Sequence, residues 1–534
     1  MSEDSTHGSR VVMMASGTLA SRLTGLLRVL VLAWVLGFSP LADAFNLANT
    51  VPNMLFDLVL GGIVGATFIP VFVERLALEG ERRAWKSISS VITASLIVLL
   101  AATLLAWWAA PWIIDGFTVM QHRTALQSLR SLDHQRSVAT ALLRWFAPQI
   151  FFYGVIGVAT ALLNIRNRFA AASWVPVANN AVCIAVLVWF HLVDPTPNLA
   201  TLAGTHFLLW LGLGTTLGVA VQFLCLLPSL ARSNLWRLSF RLDLHDPALR
   251  AIGRLGSWTL LVVVANQTSL YVVLAFAFGI GGSGPVSAFT YGWSFMMMPY
   301  AVVVVSVLGV LNPQFAALAT QSDFEGLSER LRLGLRQSLV IILPCTVTLI
   351  ILSQPIAAIL LNHLNASRTL PVGTVLAVLA AGLPGFTVFQ LSVRGLQSLQ
   401  RARAVFLLYV LENGLTIILA IFWGRHSLGG LSASLSLAYG VAALAALATL
   451  GRHRVRIATA LWSSPVRRSA EASLAAGLTM ALTYTATGAS HGPALVARAT
   501  TAALVGIVTY AVVVSVAQRR LTRRGAKSAR LETF

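Results

Sequence analysis

Two arginines and a ladder of acids and amides stand in stretches otherwise apolar enough for a bilayer. Arg22 and Arg28 lie in the run from about residue 11 to 36, with Arg22 about eleven residues in, roughly 16 Å deep at 1.5 Å per residue. A charge at that depth costs roughly 2.5 to 3.5 kcal/mol on insertion, so it needs a partner or a ligand to be retained. A guanidinium presents a planar fork that fits two phosphate oxygens and stays charged at any relevant pH, which points to an anionic ligand. Arg28 lies nearer the outer surface, where an interfacial anchor is the alternative reading. In the next run Asp43, Asn46, Asn49, Asn53 and Asp57 follow at spacings of 3, 3, 4 and 4, which puts them on one helical face. That face cannot meet lipid. Its acids are natural partners for the two arginines, with plain helix-to-helix hydrogen bonds as the alternative. Pro52 removes a backbone bond within this run and Gly61 and Gly62 loosen the turns beyond it, so a hinge is expected there.

Later runs carry fewer polar groups. Asn266, Gln267, Thr268 and Ser269 interrupt one, and Thr290, Tyr291 and Ser294 precede Pro299 in another; they serve as ligand contacts or as polar packing. Glu412 and Asn413 fall in the middle of a further run, where a carboxylate can bind a proton or a cation such as Na+, or pair with Arg394. Coupling to such a cation or to the membrane potential is the expectation they raise. There is no zincin motif, P-loop or nucleophile elbow, and Cys183, Cys225 and Cys345 are widely spaced. No metal site, cofactor or enzymatic chemistry is therefore expected.

The elements that must position these residues are membrane helices. Hydrophobic residues make up 57% of the 534 and charged ones 10%, against about 25% charged in a soluble domain, and no polar gap is long enough for a fused catalytic domain. Apolar runs predict fourteen spans at about 11–36, 42–73, 87–114, 137–163, 173–193, 201–230, 255–280, 285–318, 334–361, 372–399, 404–424, 428–451, 471–488 and 494–517. The first is too long and too interrupted for a cleaved signal peptide and is expected to stay as a helix. The formal charge of +20 would suggest nucleic acid in a soluble protein, but here the cations sort by side. With both termini in the cytoplasm, 28 Lys and Arg fall on the cytoplasmic side, six outside and four within spans, so the excess is topological and no nucleic-acid partner is expected. The basic tail from Arg519 to Arg530 anchors that topology or touches anionic membrane lipids.

The chain also echoes itself. Ala44-Phe45 precede Pro52 and Pro70 much as Ala288-Phe289 precede Pro299 and Pro313, and Arg168 stands before Asn180 much as Arg403 stands before Asn413. The spacing predicts an all-α integral membrane protein of about fourteen transmembrane helices, in two six-helix lobes related by an internal repeat plus two C-terminal helices. The boundaries are 1–230, 231–452 and 453–534. Such repeats are typical of transporters that work by alternating access.

Three segments, A-S-R-L-T-G-L-L-R at 20–28, A-D-A-F at 42–45 with P-N at 52–53, and L-N-I-R-N-R-F at 163–169 leading to V-P-V-A-N-N at 175–180, together resemble the MurJ/MviN family of lipid II flippases. Looser echoes follow in order at 298–308 and 394–400. The resemblance implies a V-shaped central cavity lined by helices 1, 2, 7 and 8 and passage of the peptidoglycan precursor across a bacterial inner membrane. It makes Arg22 and Arg28 the matches to the family's functional arginines, and Asp43 and Asn53 the matches to its polar positions on helix 2. Phe56-Asp57, Val29 and Ser294 depart from the charged residues many members carry there. The substrate set expected is thus Arg22, Arg28, Asp43, Asn53, Asp57, Gln267 and Ser294, with lipid II as partner and other cell-wall synthesis proteins as further partners. The alternatives are export of another polyprenyl-linked glycan or a small molecule, and a membrane scaffold for cell-wall enzymes.

Overall fold

The computed structural model describes residues 2–58, 81–121, 126–165, 169–195, 197, 199, 206–233, 239–243, 247–282, 284–361, 366–486 and 492–531. Among these there is no strand. The chain divides into two compact units, Met1–Ser287 and Ala288–Phe534.

The first unit holds α1 (Ser2–Leu36), α2 (Pro40–Phe56), α3 (Glu81–Thr118), α4 (Leu126–Phe146), α5 (Pro148–Ile165), α6 (Phe169–Val193), α7 (His206–Ala231) and α8 (Pro247–Gly279). Pro148 separates α4 from α5 within one crossing, because it has no N–H to continue the ladder. The packing pairs α1 with α6, α2 with α4, and α6 with α7. Apolar cores form around Ile88, Leu99 and Ile150 and around Leu163, Val219 and Leu226.

The second unit takes up α9 (Pro285–Pro299, its first residues belonging to the first unit), a π turn at Tyr300–Val304 and α10 (Val305–Thr320). It continues through α11 (Phe324–Ile351), α12 (Ser353–Leu360), α13 (Ala366–Ser398), α14 (Ala402–Phe422), α15 (Leu428–Arg452), α16 (Ser464–Ala486) and α17 (Gly492–Leu531). Lipid supplies no hydrophobic drive between helices, so close approach depends on small residues. A Cβ on Gly382 of α13 would sit 2.7 Å from the Ser436 Cα of α15, and the Ser436 hydroxyl donates to the Val378 carbonyl at 2.7 Å.

Twelve stretches of described helix are long and apolar enough to cross a membrane. They match twelve of the fourteen predicted spans. The continuation of the second predicted span beyond residue 58 lies outside the described residues, and the thirteenth corresponds to α16, whose first turns carry Arg467, Arg468 and Glu471. Among the described residues seventeen α-helices include these twelve stretches, in keeping with about fourteen spans.

Candidate functional site

The two helix-1 arginines are set by the packing of α1 on α6, where two of the sequence motifs meet. Asn180 of α6 donates to the Ser21 carbonyl (3.3 Å) and the Thr24 hydroxyl (3.0 Å) of α1, and the Trp174 indole N–H donates to the Met13 carbonyl (3.1 Å). Gly17 lies under Trp174, where a Cβ would come within 2.6 Å of the ring. These contacts fix the rotation of α1 and leave Arg22 exposed while Arg28 is half-buried. Arg28 lies close to the Cys183 thiol and the Tyr153 hydroxyl of α5, near enough for its charge to act on both. Cys183 also donates to the Asn179 side-chain oxygen at 3.3 Å. Arg28 is therefore held within the helix packing, not laid out as an interfacial anchor. A guanidinium has five N–H donors, so one thiol contact leaves most of the fork available.

Helix α2 begins with Ser39 as N-cap, its hydroxyl accepting from the Ala42 N–H at 3.1 Å, followed by Pro40 at the first helical position. Its polar face is as predicted, but its partners are not. The buried Asp43 carboxylate accepts from the Ser287 N–H (2.8 Å) and hydroxyl (2.7 Å), with a further backbone hydrogen bond from Val286. Asn46 donates to the same Ser287 hydroxyl at 2.9 Å. Asp43 is thus an N-terminal cap for α9 supplied from α2, a favourable place for a carboxylate because the first-turn amides have no partners in their own helix. Asp57, at the other end of the face, accepts from the Gln267 amide of α8 at 3.1 Å. The expected pairing of these acids with Arg22 and Arg28 is corrected: among the described residues neither carboxylate makes an ion pair with either arginine. First-turn donors of α9 satisfy Asp43 instead, and the Gln267 side chain bonds Asp57.

The same face grades from closed to open. Asp43 and Asn46 are 2% and 5% exposed, whereas Asn53 and Asp57 are exposed. Asn53 returns its amide to the Asn49 carbonyl (2.8 Å), leaving its side-chain oxygen for other donors. Pro52 is buried within α2, and π-type hydrogen bonding follows at residues 57–58, as it does after Pro299 at Tyr300–Val304. Such bulges mark places where a helix bends. Gly61 and Gly62, the other hinge candidates, lie outside the described residues. Ser294 is half-buried and donates to the Thr290 carbonyl of its own helix, so it is not brought to the α2 face by any hydrogen bond described.

In the second unit Glu412 and Asn413 are buried on α14, 7% and 6% exposed. Asn413 donates to the Tyr409 carbonyl at 2.8 Å. Tyr409 and Tyr439 lie close enough to Glu412 to feel its charge. Among the described residues no hydrogen bond or ion pair reaches the Glu412 carboxylate. The alternative pairing with Arg394 is not made, and Arg394 instead donates to Gln397 at 3.0 Å.

Sequence reading missed Ser287 and Tyr153, and it named Asn179, Asn180 and Cys183 without giving them a place at this site. The internal repeat carried a signal for the first: Asp43 and Ser287 each stand immediately before an Ala-Phe pair, 244 residues apart, so the contact joins equivalent positions of the two repeats.

An all-α chain of many spans with buried polar faces has the fold of a membrane transporter. A solved inward-facing multidrug resistance transporter of the MATE family superposes with a TM-score of 0.66 at 17% identity over 83% of this chain and 96% of that one. A solved "Lipid II flippase MurJ, inward closed conformation" superposes with a TM-score of 0.75 at 21% identity, covering 96% of this chain and all of that one. In sequence, the lipid II flippase MurJ of Burkholderia cenocepacia is 27% identical over 400 residues, 73% of each chain, and a probable lipid II flippase MurJ of Rhizobium meliloti is 24% identical over 97% of each. The family model for lipid II flippase MurJ matches residues 32–493. The chain belongs to the MurJ lipid II flippase family, whose members are multi-pass inner-membrane transporters, not enzymes.

Proposed function

We propose that this protein carries lipid II, the polyprenyl-pyrophosphate-linked peptidoglycan precursor, from the cytoplasmic to the outer leaflet by alternating access of two lobes, residues 1–230 and 231–452. Residues 453–534 add two helices and a basic cytoplasmic tail that contacts anionic lipids. Arg22 and Arg28 take the pyrophosphate through bidentate hydrogen bonds, and Asn53, Asp57, Gln267 and Ser294 offer polar groups to the sugar-peptide headgroup. The observation that carries the reading is the gradient along α2, sealed at Asp43 and Asn46 and open at Asn53 and Asp57, beside a helix bearing two arginines. Asp43 on Ser287 is a latch at the outer end, and the Pro52 bend lets the inner part of α2 move while the latch holds. Glu412 and Asn413 are the groups through which Na+, a proton or the membrane potential drives the cycle.

Depletion of the protein in its host, followed by analysis of lipid-linked intermediates, tests this reading. Accumulation of lipid II on the cytoplasmic leaflet is expected. Accumulation of a different polyprenyl-linked glycan would favour the other export reading, and unchanged translocation with mislocalised cell-wall enzymes would favour a scaffold. Orientation is checked by impermeant thiol labelling: cysteine at Met120 should react from outside and cysteine at Ser322 should not.

A further inference from the structure

The second unit contains a cationic cavity separate from the residues above. It encloses about 420 Å³ between the start of α11 and the turn that leads into α16, and its walls include Arg330, Arg332, Arg336, Thr459 and Ser463. Arg332 and Arg336 are four residues apart on one helical face, an arrangement of like charges that destabilises a helix unless something neutralises it. Among the described residues none of the three arginines is within ion-pair distance of a carboxylate, although Glu329 lies on the same wall. The Arg332 Nε does donate to the Ser328 carbonyl at 3.2 Å, which holds that side chain in place. The turn is equally fixed. Val455, Ile457 and Ala460 are buried, and the Arg456 N–H donates to the Ser328 hydroxyl at 3.2 Å. Among the described residues the three cations of this cavity make no ion pair; Arg332 is half-buried, and Arg330 and Arg336 are exposed at its mouth.

Its surroundings select the kind of anion. Trp462, next to the lining residues, is 84% exposed, and a large aromatic projecting at the end of a span marks the headgroup level of a bilayer. Leu474 and Leu478 of α16 stand 11 and 15 residues beyond Ser463, which brings them back to about the same side of the helix three and four turns on, and they are 70% and 63% exposed. Cations therefore sit above an apolar track, an amphipathic pairing that a phospholipid satisfies and a soluble phosphate does not. A second basic cavity, of about 510 Å³ with Arg401, Arg452 and Arg454, is different. It gathers the C-terminal ends of α10, α13 and α15, where the negative ends of the helix dipoles oppose the binding of an anion.

We propose that the Arg330–Arg332–Arg336 cavity is a docking site for the phosphodiester head group of an anionic membrane phospholipid, with an acyl chain lying along Leu474 and Leu478. Basic pockets beside spans on the cytoplasmic side are suited to such head groups. The site is distinct from the proposed substrate residues, so it stands or falls without reference to which precursor is carried.

Native mass spectrometry of the full chain released from phosphatidylcholine nanodiscs containing a fraction of phosphatidylglycerol tests it. The wild-type protein should retain a phosphatidylglycerol molecule in preference to phosphatidylcholine. The variant Arg330→Gln/Arg332→Gln/Arg336→Gln should retain it at least roughly tenfold less, since the loss of even one charge-assisted phosphate contact costs about that much. Lysine at all three positions should restore part of the retention, and Arg401→Gln/Arg452→Gln should leave it unchanged. If the triple glutamine chain fails to insert, Thr459→Glu, which adds a carboxylate to the cavity with the arginines intact, should give the same loss. Excess inorganic phosphate should not displace the lipid. Undiminished retention in the cavity variants, equal retention of both lipids, or displacement by inorganic phosphate would each overturn the proposal.

Discussion

Asp43 of α2 and Glu412 of α14 are both carboxylates buried in apolar helix packing, yet they are treated in opposite ways. Asp43 accepts from the Ser287 N–H and hydroxyl at 2.8 and 2.7 Å and from the Val286 backbone. Glu412 receives no hydrogen bond among the described residues, although Tyr409 and Tyr439 stand near it. A saturated carboxylate fixes two helix ends together; an unsaturated one keeps its lone pairs for a proton or a cation. Burial alone therefore does not identify a functional acid in a membrane protein. The donors around it do.

Neutral isosteres should separate the two most sharply. Asp43→Asn turns an amide toward the Ser287 and Val286 donors and leaves at least one of them unsatisfied in a buried place, which costs about 1 to 3 kcal/mol. Its unfolding transition in detergent should fall accordingly, and equal stability to wild type would show that the α9 cap is not needed. Asn180→Ala should follow at about 1 kcal/mol, because two hydrogen bonds that orient α1 are lost, and translocation should drop although both arginines remain. Gln267→Leu breaks a single hydrogen bond at the exposed end of α2 and should cost about 0.5 kcal/mol at most. Glu412→Gln should change stability least, since no hydrogen bond to the carboxylate is given up. Its effect should be on transport, which loses dependence on Na+ or pH; a variant that transports like wild type across both variables makes Glu412 a structural residue.

The fold was legible because a bilayer imposes one rule on every span: satisfy the backbone internally and keep the outside apolar. That rule writes itself into runs near 20 residues, and twelve of the predicted spans reappear as apolar helices. The polar face of α2 was legible for the same reason, since five polar residues at helical spacing have no place in lipid. Its partners were not. Opposite charge suggested Arg22 and Arg28 for the acids, but the Asp43 partner is a serine 244 residues away at a helix N-terminus, and a helix end with free amides has no side-chain signature. The closeness of Arg28 to a cysteine was likewise hidden, because a thiol inside an apolar run reads as a small hydrophobe. The cationic cavity of the second unit was invisible for a third reason. In the sequence its arginines read only as topological anchors, and the turn at 458–463 that completes it is a short connection with no repeat or motif.

The central claim is that the helix-1 arginines hold the pyrophosphate of the carried lipid. Reconstituted vesicles in which lipid II translocation is measured beside the amount of inserted protein test it most directly. Arg22→Ala should insert as well as wild type, since removing a charge from within a span relieves an insertion cost, while translocation falls by roughly tenfold to a hundredfold, the loss of one charge-assisted phosphate contact. Arg22→Lys should retain part of the activity, because it keeps the charge without the planar fork. Normal translocation by a well-inserted Arg22→Ala protein would contradict the account.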